Sequence, residues 1–177
     1  YITQRSPEEI RELSKFKKPI FYDAKFFDIQ NTLVESIKSL KNLNVDYATV
    51  HLLNGLDALK MANKAADEIN LKLLGVSILT SFSDDDLESL GFNSKVKDQV
   101  KRLVKIAIEA NLYGVICSPL EVKMIKEIAP NLKCFTPGIR MADTKDDQKR
   151  TLSANEAIKE GSDCLIIGRP ITKGDPK

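Results

Sequence analysis

Short runs rich in Val, Ile, Leu and Phe alternate along the chain with longer stretches whose apolar residues recur every three or four positions. The short runs at 19–24, 47–51, 73–79, 114–117, 134–136 and 164–167 predict strands buried on both faces. The longer stretches predict helices at 31–43, 56–69, 95–110, 119–128 and 153–159. Val96, Val100, Leu103, Val104 and Ala107 form one stripe of the longest helix. Ser153 with Glu156 marks the start of the last helix as a capping box. Ser6-Pro7-Glu8-Glu9 starts a further helix, with Ser as cap and acids at the positive dipole end; its inward stripe is Ile10, Leu13 and Phe16. Strands and helices in strict alternation predict an α/β fold with a parallel sheet and right-handed crossovers. An open doubly wound sheet and a closed (β/α)8 barrel both meet that description. No glycine-rich dinucleotide fingerprint follows a strand, which favours the barrel. Barrels gather functional groups at the C-terminal ends of their strands. Polar residues stand at those ends here: Asp23, Lys25, His51, Thr80, Ser118, Arg140, Gly168 and Arg169.

Composition narrows the function. The 177 residues carry 27 basic and 25 acidic side chains, a formal charge of +2 that speaks against nucleic-acid or membrane-surface binding. No apolar run reaches the roughly 20 residues of a membrane span, and neither a secretory leader nor a lipid anchor is expected. Cys117, Cys134 and Cys164 lie in separate apolar runs and read as small buried hydrophobes in a reducing, cytoplasmic setting. His51, the only histidine, has no partner at metal-ligand spacing and is expected to be structural. Ser83-Asp84-Asp85-Asp86 reads as a helix cap, lacking the alternating spacing of a calcium loop.

The segment FYDAKFFDIQNT, residues 21–32, puts two acids and a lysine at the end of an apolar strand. Asp23 and Lys25 are two apart and share a face of the strand, with Asp28 in the following loop. In a barrel interior, flanking carboxylates would hold the lysine as an oriented ammonium, suited to donating a proton to a carbon that has gained negative charge. A local ion pair at a strand end accounts for the same residues. TPGIR at 136–140, a polar loop running to DDQKR at 146–150, and IIGRP at 166–170 close the last two strands, where barrels build phosphate sites. Gly168 with Arg169 reads as a phosphate grip or as a tight turn beside a surface arginine. The loop 141–149 is polar enough to serve as a lid.

DAKFFDIQNT resembles the signature of the orotidine 5'-phosphate decarboxylase family: aspartate, any residue, lysine, two residues, aspartate, isoleucine, and a threonine further on. GVSILTSFSDDDLESLG, TPGIR, DDQKR and IIGRPIT resemble that family's later segments in the same order, so the resemblance runs over nearly the whole chain. It implies a (β/α)8 TIM barrel, incomplete in residues 1–177 at both ends, as one domain lacking the first strands and the last helix. It implies a cytoplasmic enzyme of pyrimidine synthesis that turns orotidine 5'-phosphate into UMP and CO2 with no metal or organic cofactor. Lys25 would be the proton donor to C6, and Asp23 would hold it beside the substrate carboxylate. Asp28 would be given to the partner's site in a homodimer, with Ile29 and Thr32 near that substrate. Thr80 would contact the pyrimidine and Pro137 the base. Arg140, Gln148, Gly168 and Arg169 would hold the phosphate. The family's first-strand aspartate and second-strand lysine have no counterpart in 1–177, and Gln30 stands where the family carries proline. The resemblance leaves two other readings: a magnesium-dependent sugar-phosphate lyase of the same barrel group, 3-hexulose-6-phosphate synthase or 3-keto-L-gulonate-6-phosphate decarboxylase, and an inactive truncated copy.

Overall fold

The computed structural model describes residues 7–140 and 150–172. Each predicted strand forms, with ends displaced by at most three residues and 47–51 matched at both ends: β1 (Phe21–Phe26), β2 (Tyr47–His51), β3 (Lys72–Val76), β4 (Gly114–Ile116) and β5 (Lys133–Thr136). After them come the two-residue strands β6 (Ile139–Arg140) and β7 (Leu152–Ser153), then β8 (Cys164–Leu165). The helices are α1 (Pro7–Ser14), α2 (Gln30–Ser39), α3 (Leu56–Asp67), α4 (Asp84–Ser89), α5 (Val96–Glu109), α6 (Val122–Ile128), α7 (Ala154–Lys159) and α8 (Arg169–Thr172). None of the helices described is long and apolar enough to cross a membrane.

Six strands make one sheet in the order β1-β2-β3-β4-β5-β8, every pair parallel. The order never reverses, so there is no switch point of the doubly wound kind. The rings of Phe21 on β1 and Phe135 on β5 stack with centroids 6.3 Å apart. Four inter-strand steps of about 4.8 Å would hold them roughly 19 Å apart in a flat sheet. The sheet therefore curls into a half-barrel, and among the described residues β1 and β8 are its two ends.

Two apolar layers follow from the alternation of side chains along each strand. On the convex face Ala48, Val50, Leu73, Val115 and Cys134 meet Leu33, Ile37, Leu59, Val100, Val104, Val122 and Ile125 of the helices. On the concave face Leu74, Val76, Ile116 and Phe135 pack with Phe21, Tyr47 and Ile166. Tyr47 lies 5.5 Å from Phe135 and 5.9 Å from Tyr113, centroid to centroid. The Lys72 ammonium sits 5.2 and 5.0 Å from the Tyr47 and Tyr113 rings, so a cation over aromatic faces stands at the N-terminal end of the sheet. Gly114 is required where β4 meets β5, because a Cβ there would run into the Lys133 carbonyl oxygen.

Several expectations need correction. Of the α1 stripe only Ile10 is buried; Leu13 is exposed within the helix, and Phe16 is exposed beyond its end at Ser14. Cys117 and Cys134 are buried as expected, but Cys164 is exposed, because β8 is an end strand with one neighbour. β1 starts two residues late, since the Ile20 N–H is taken by the Asp46 carboxylate at 2.7 Å. It then runs two residues further, to Phe26, so Lys25 as well as Asp23 lies within the strand and Asp28 follows in the loop, as expected. The β6–β7 pair is not foreseen, since two-residue strands carry no periodicity. As expected, Ser83 caps α4 in a capping box with Asp86.

Candidate active site

Because all six strands run the same way, their C-terminal ends share one rim. Asp23, Lys25, His51, Thr80, Pro137 and Gly168 are on or just beyond those ends. Lys25 Nζ lies 2.6 Å from Asp23 Oδ2, in an ion pair whose side chains are 42% and 43% exposed. Among the described residues the pair is open to solvent, β1 having one neighbour in the sheet. An ion pair this exposed stabilises the fold by about 0–1 kcal/mol.

The backbone around the pair is irregular. β1 pairs Tyr22 with Ala48 and Phe26 with Val50, so four steps on β1 match two on β2, a bulge. Lys25 has φ +50°, a left-handed conformation costing a non-glycine residue roughly 1–2 kcal/mol. That strain matches or exceeds what the exposed pair returns, so fold stability does not explain the arrangement. Thr49 occupies the gap in the ladder. Its Oγ1 accepts the Lys25 N–H at 2.8 Å and donates to Asp23 Oδ1 at 2.9 Å. Thr49 is fully buried. Sequence reading passes over it, although a hydroxyl two residues from Tyr47 and His51 on the inward face of a buried strand is a visible signal.

Asp28 lies in the loop after β1. Its N–H donates to Asn54 Oδ1 at 3.0 Å, while Asn54 Nδ2 donates to the carbonyls of Phe26 and His51 at 2.9 and 2.7 Å. Asn54 thus stitches the Asp28 loop to the end of β2. The Asp28 carboxylate accepts the Ile29 N–H and makes no ion pair with Lys25. Asp28, Ile29 and Thr32 are all exposed. Beside them Phe27, Ile29, Leu53 and Met61 are 65%, 75%, 40% and 42% exposed, a cluster of large apolar side chains on the surface. His51 caps the 3-10 turn Leu52–Asn54, its Nδ1 accepting the Leu53 N–H at 3.3 Å. Burial first, and the Lys25 charge second, hold its pKa below the ordinary histidine value, so it is neutral at pH 7. The structural reading of His51 stands.

Thr80 is buried just past β3. The backbone before it is held by Arg150, whose Nη2 donates to the carbonyls of Ile78 at 3.1 Å and Leu79 at 2.9 Å. Arg150 Nη1 pairs with Glu121, which also accepts the Ser118 N–H at 2.9 Å. Ser118 Oγ in turn donates to the Arg150 carbonyl at 3.1 Å. This buried network ties the loops after β3 and β4 to the start of β7. Sequence reading includes Arg150 only as the end of a motif and does not see Glu121 as its partner, since the two are 29 residues apart. Pro137 follows β5 directly, and Arg140 pairs through its backbone with Ser153. Gly168 precedes α8, its carbonyl accepting the N–H groups of Ile171 and Thr172. Gln148 and the side chains of Arg140 and Arg169 fall outside what is described.

Comparison with known proteins gives the arrangement a lineage. The family model for the orotidine 5'-phosphate decarboxylase / HUMPS family matches residues 1–177. The chain is 41% identical over 174 residues to the orotidine 5'-phosphate decarboxylase of Wolbachia pipientis subsp. Culex pipiens (strain wPip), covering 98% of this chain and 77% of that protein. It is 41% identical over 184 residues to that of Prochlorococcus marinus (strain MIT 9312), covering 98% of this chain and 76% of that protein. Among solved structures, the orotidine 5'-phosphate decarboxylase from Lactobacillus acidophilus superimposes with a TM-score of 0.83 at 35% identity, over 96% of this chain and 75% of that one. Strand order, motifs and similarity over nearly all of this chain agree: the chain belongs to the orotidine 5'-phosphate decarboxylase / HUMPS family.

Proposed function

We propose that this chain is an orotidine 5'-phosphate decarboxylase, a carboxy-lyase forming UMP and CO2. The observation that carries the reading is the Lys25 ammonium, 2.6 Å from a carboxylate held by a buried hydroxyl, at the rim of a parallel sheet. The C6–carboxylate bond breaks, CO2 leaves, and the electron pair stays on C6. Lys25 Nζ then gives C6 a proton and is left as the neutral amine, to be reprotonated from solvent. Asp23 keeps Lys25 in place and presents negative charge beside the departing carboxylate. No metal or organic cofactor enters this scheme.

Thr80 contacts the pyrimidine and Pro137 the base, while Arg140, Gln148, Gly168 and Arg169 bind the phosphate. Binding energy from that remote group organises the charged residues around the reacting carbon. The enzyme works as a cytoplasmic homodimer in which Asp28, Ile29 and Thr32 serve the partner's site. Support comes from the exposure of Phe27, Ile29, Leu53 and Met61 around Asp28, an apolar cluster of the kind that interfaces cover.

The test is turnover of orotidine 5'-phosphate by the full chain, with UMP quantified by chromatography in the presence of EDTA. Turnover is expected to survive the chelator, whereas its loss would favour a magnesium-dependent lyase. Lys25→Ala is expected to lower kcat by about 10²–10⁴-fold, the range for a positioned general acid. Turnover that survives Lys25→Ala undiminished rules out Lys25 as the donor. Ile29→Asp is expected to shift the protein from dimer to monomer in sedimentation.

A further inference from the structure

We propose that Thr49 is a positioning residue for this reaction, its hydroxyl setting the geometry of the Asp23–Lys25 pair. The proposal rests on the reading of Lys25 as proton donor. One hydroxyl does two things at once: its proton goes to Asp23 Oδ1 at 2.9 Å and its lone pair takes the Lys25 N–H at 2.8 Å. The other carboxylate oxygen, Oδ2, holds Lys25 Nζ at 2.6 Å. The three bonds close a ring through the side chain of Asp23 and both ends of Lys25. Rotating the carboxylate, or relaxing Lys25 out of its left-handed conformation, breaks at least one of them.

Rigidity passes in one direction through this ring. Thr49 is fully buried and β-branched, with one strongly restricted χ1. It sits mid-strand in β2, which pairs with β3 in unbroken register from Tyr47↔Lys72 to His51↔Val76. Asp23 and Lys25 lie on a bulged end strand with their side chains half exposed. Neither would keep a fixed position alone. The bulge removes the strand carbonyl that would otherwise accept the Lys25 N–H, and Thr49 supplies the acceptor in its place. A proton donor displaced by about 1 Å loses on the order of 100-fold in rate.

The experiment compares Thr49→Val, which keeps the shape and removes the hydroxyl, with Thr49→Ser, which keeps the hydroxyl. Thr49→Val is expected to lower kcat about 10- to 100-fold with KM nearly unchanged, the mark of an interaction that matters in the transition state. Thr49→Ser is expected to restore most of that rate. Lys25 amide hydrogen exchange, which reports the bridge in the folded protein, is expected to speed up in Thr49→Val and stay near wild type in Thr49→Ser. Wild-type kcat in Thr49→Val overturns the proposal, because a merely structural hydroxyl would lower thermal stability and leave the turnover of folded protein alone. An equal loss in Thr49→Ser also overturns it, since packing of the methyl group would then carry the effect. A wild-type chain without turnover overturns the decarboxylase reading itself, an outcome distinct from a working enzyme indifferent to Thr49→Val.

Discussion

Arg150→Met is the substitution with the largest consequence that the structure foretells outside the Asp23–Lys25 pair. Arg150 and Glu121 form an ion pair with side chains only 14% and 6% exposed. The arginine also donates to the carbonyls of Ile78 and Leu79. Methionine fills similar volume but leaves the Glu121 carboxylate buried with the Ser118 N–H as its remaining partner. Removing one member of a buried pair costs about 3–5 kcal/mol, most of it from stranding the other charge. Arg150 Nε is itself buried without a partner among the described residues, which tempers what the native pair contributes. For a chain of this size each kcal/mol shifts Tm by about 2–4 °C, so a drop of roughly 6–20 °C is expected.

Urea unfolding at fixed protein concentration measures the loss, the concentration being held because any dimer adds to apparent stability. Lys38→Met is the control: its pair with Glu35 has side chains 46% and 71% exposed, and its loss is expected to cost under about 0.5 kcal/mol. Glu121→Met with Arg150→Met leaves no stranded charge. The double variant is expected to fall about 1–3 kcal/mol short of the summed single losses. A loss below about 1 kcal/mol for Arg150→Met, or strict additivity in the double variant, refutes the claim that a desolvated pair straps these loops.

Two further outcomes follow from packing and charge. Gly114→Ala drives a Cβ into the Lys133 carbonyl, backbone that cannot swing aside, and is expected to destabilise by about 2 kcal/mol or more in the same urea assay. Asp163 feels burial, which raises its pKa, but the Lys126 and Lys133 ammoniums at 2.6 and 2.9 Å and the Cys134 N–H outweigh it, so its pKa lies below the ordinary value. A depressed carboxylate stabilises the fold above its unfolded pKa and loses that contribution as pH falls through the folded one. The stability gap between wild type and Asp163→Asn is therefore expected to be constant near neutrality and to shrink below about pH 5; a gap that widens on acidification contradicts the assignment.

Much of this was legible in the sequence because burial and periodicity are local signals. The α5 stripe Val96, Val100, Leu103, Val104 and Ala107 is buried as its spacing predicts. The alternation of strands and helices points to a parallel sheet without needing to know which strand neighbours which. The hidden features depend on contacts between distant residues. Thr49 and Asp23 are 26 residues apart, and Arg150 and Ile78 are 72 apart. No window of sequence contains either bond. The exposure of Lys25 among the described residues is not a local signal either, since it depends on which strands stand beside β1 and not on any property of residues 21–26.

The half-barrel separates what holds it together from what it does. Stability resides in the convex helix–sheet layer and in the aromatic cluster of Phe21, Tyr47 and Phe135 at the far end of the concave face. Beside these the Arg150–Glu121 strap holds the loops after β3 and β4, whereas the β1 end of the rim carries a left-handed lysine, a bulge and an exposed ion pair of little worth to folding. Lys25 is the left-handed non-glycine residue that falls within a described strand, Lys17 and three asparagines adopting that conformation outside helices and strands, and a rule broken inside a regular element marks a functional site. The breakage is also economical in parts. One buried threonine bonds both the Lys25 N–H and the Asp23 carboxylate, and one asparagine accepts the Asp28 N–H and pins a loop whose carboxylate bonds the Ile29 N–H while Lys25 pairs with Asp23.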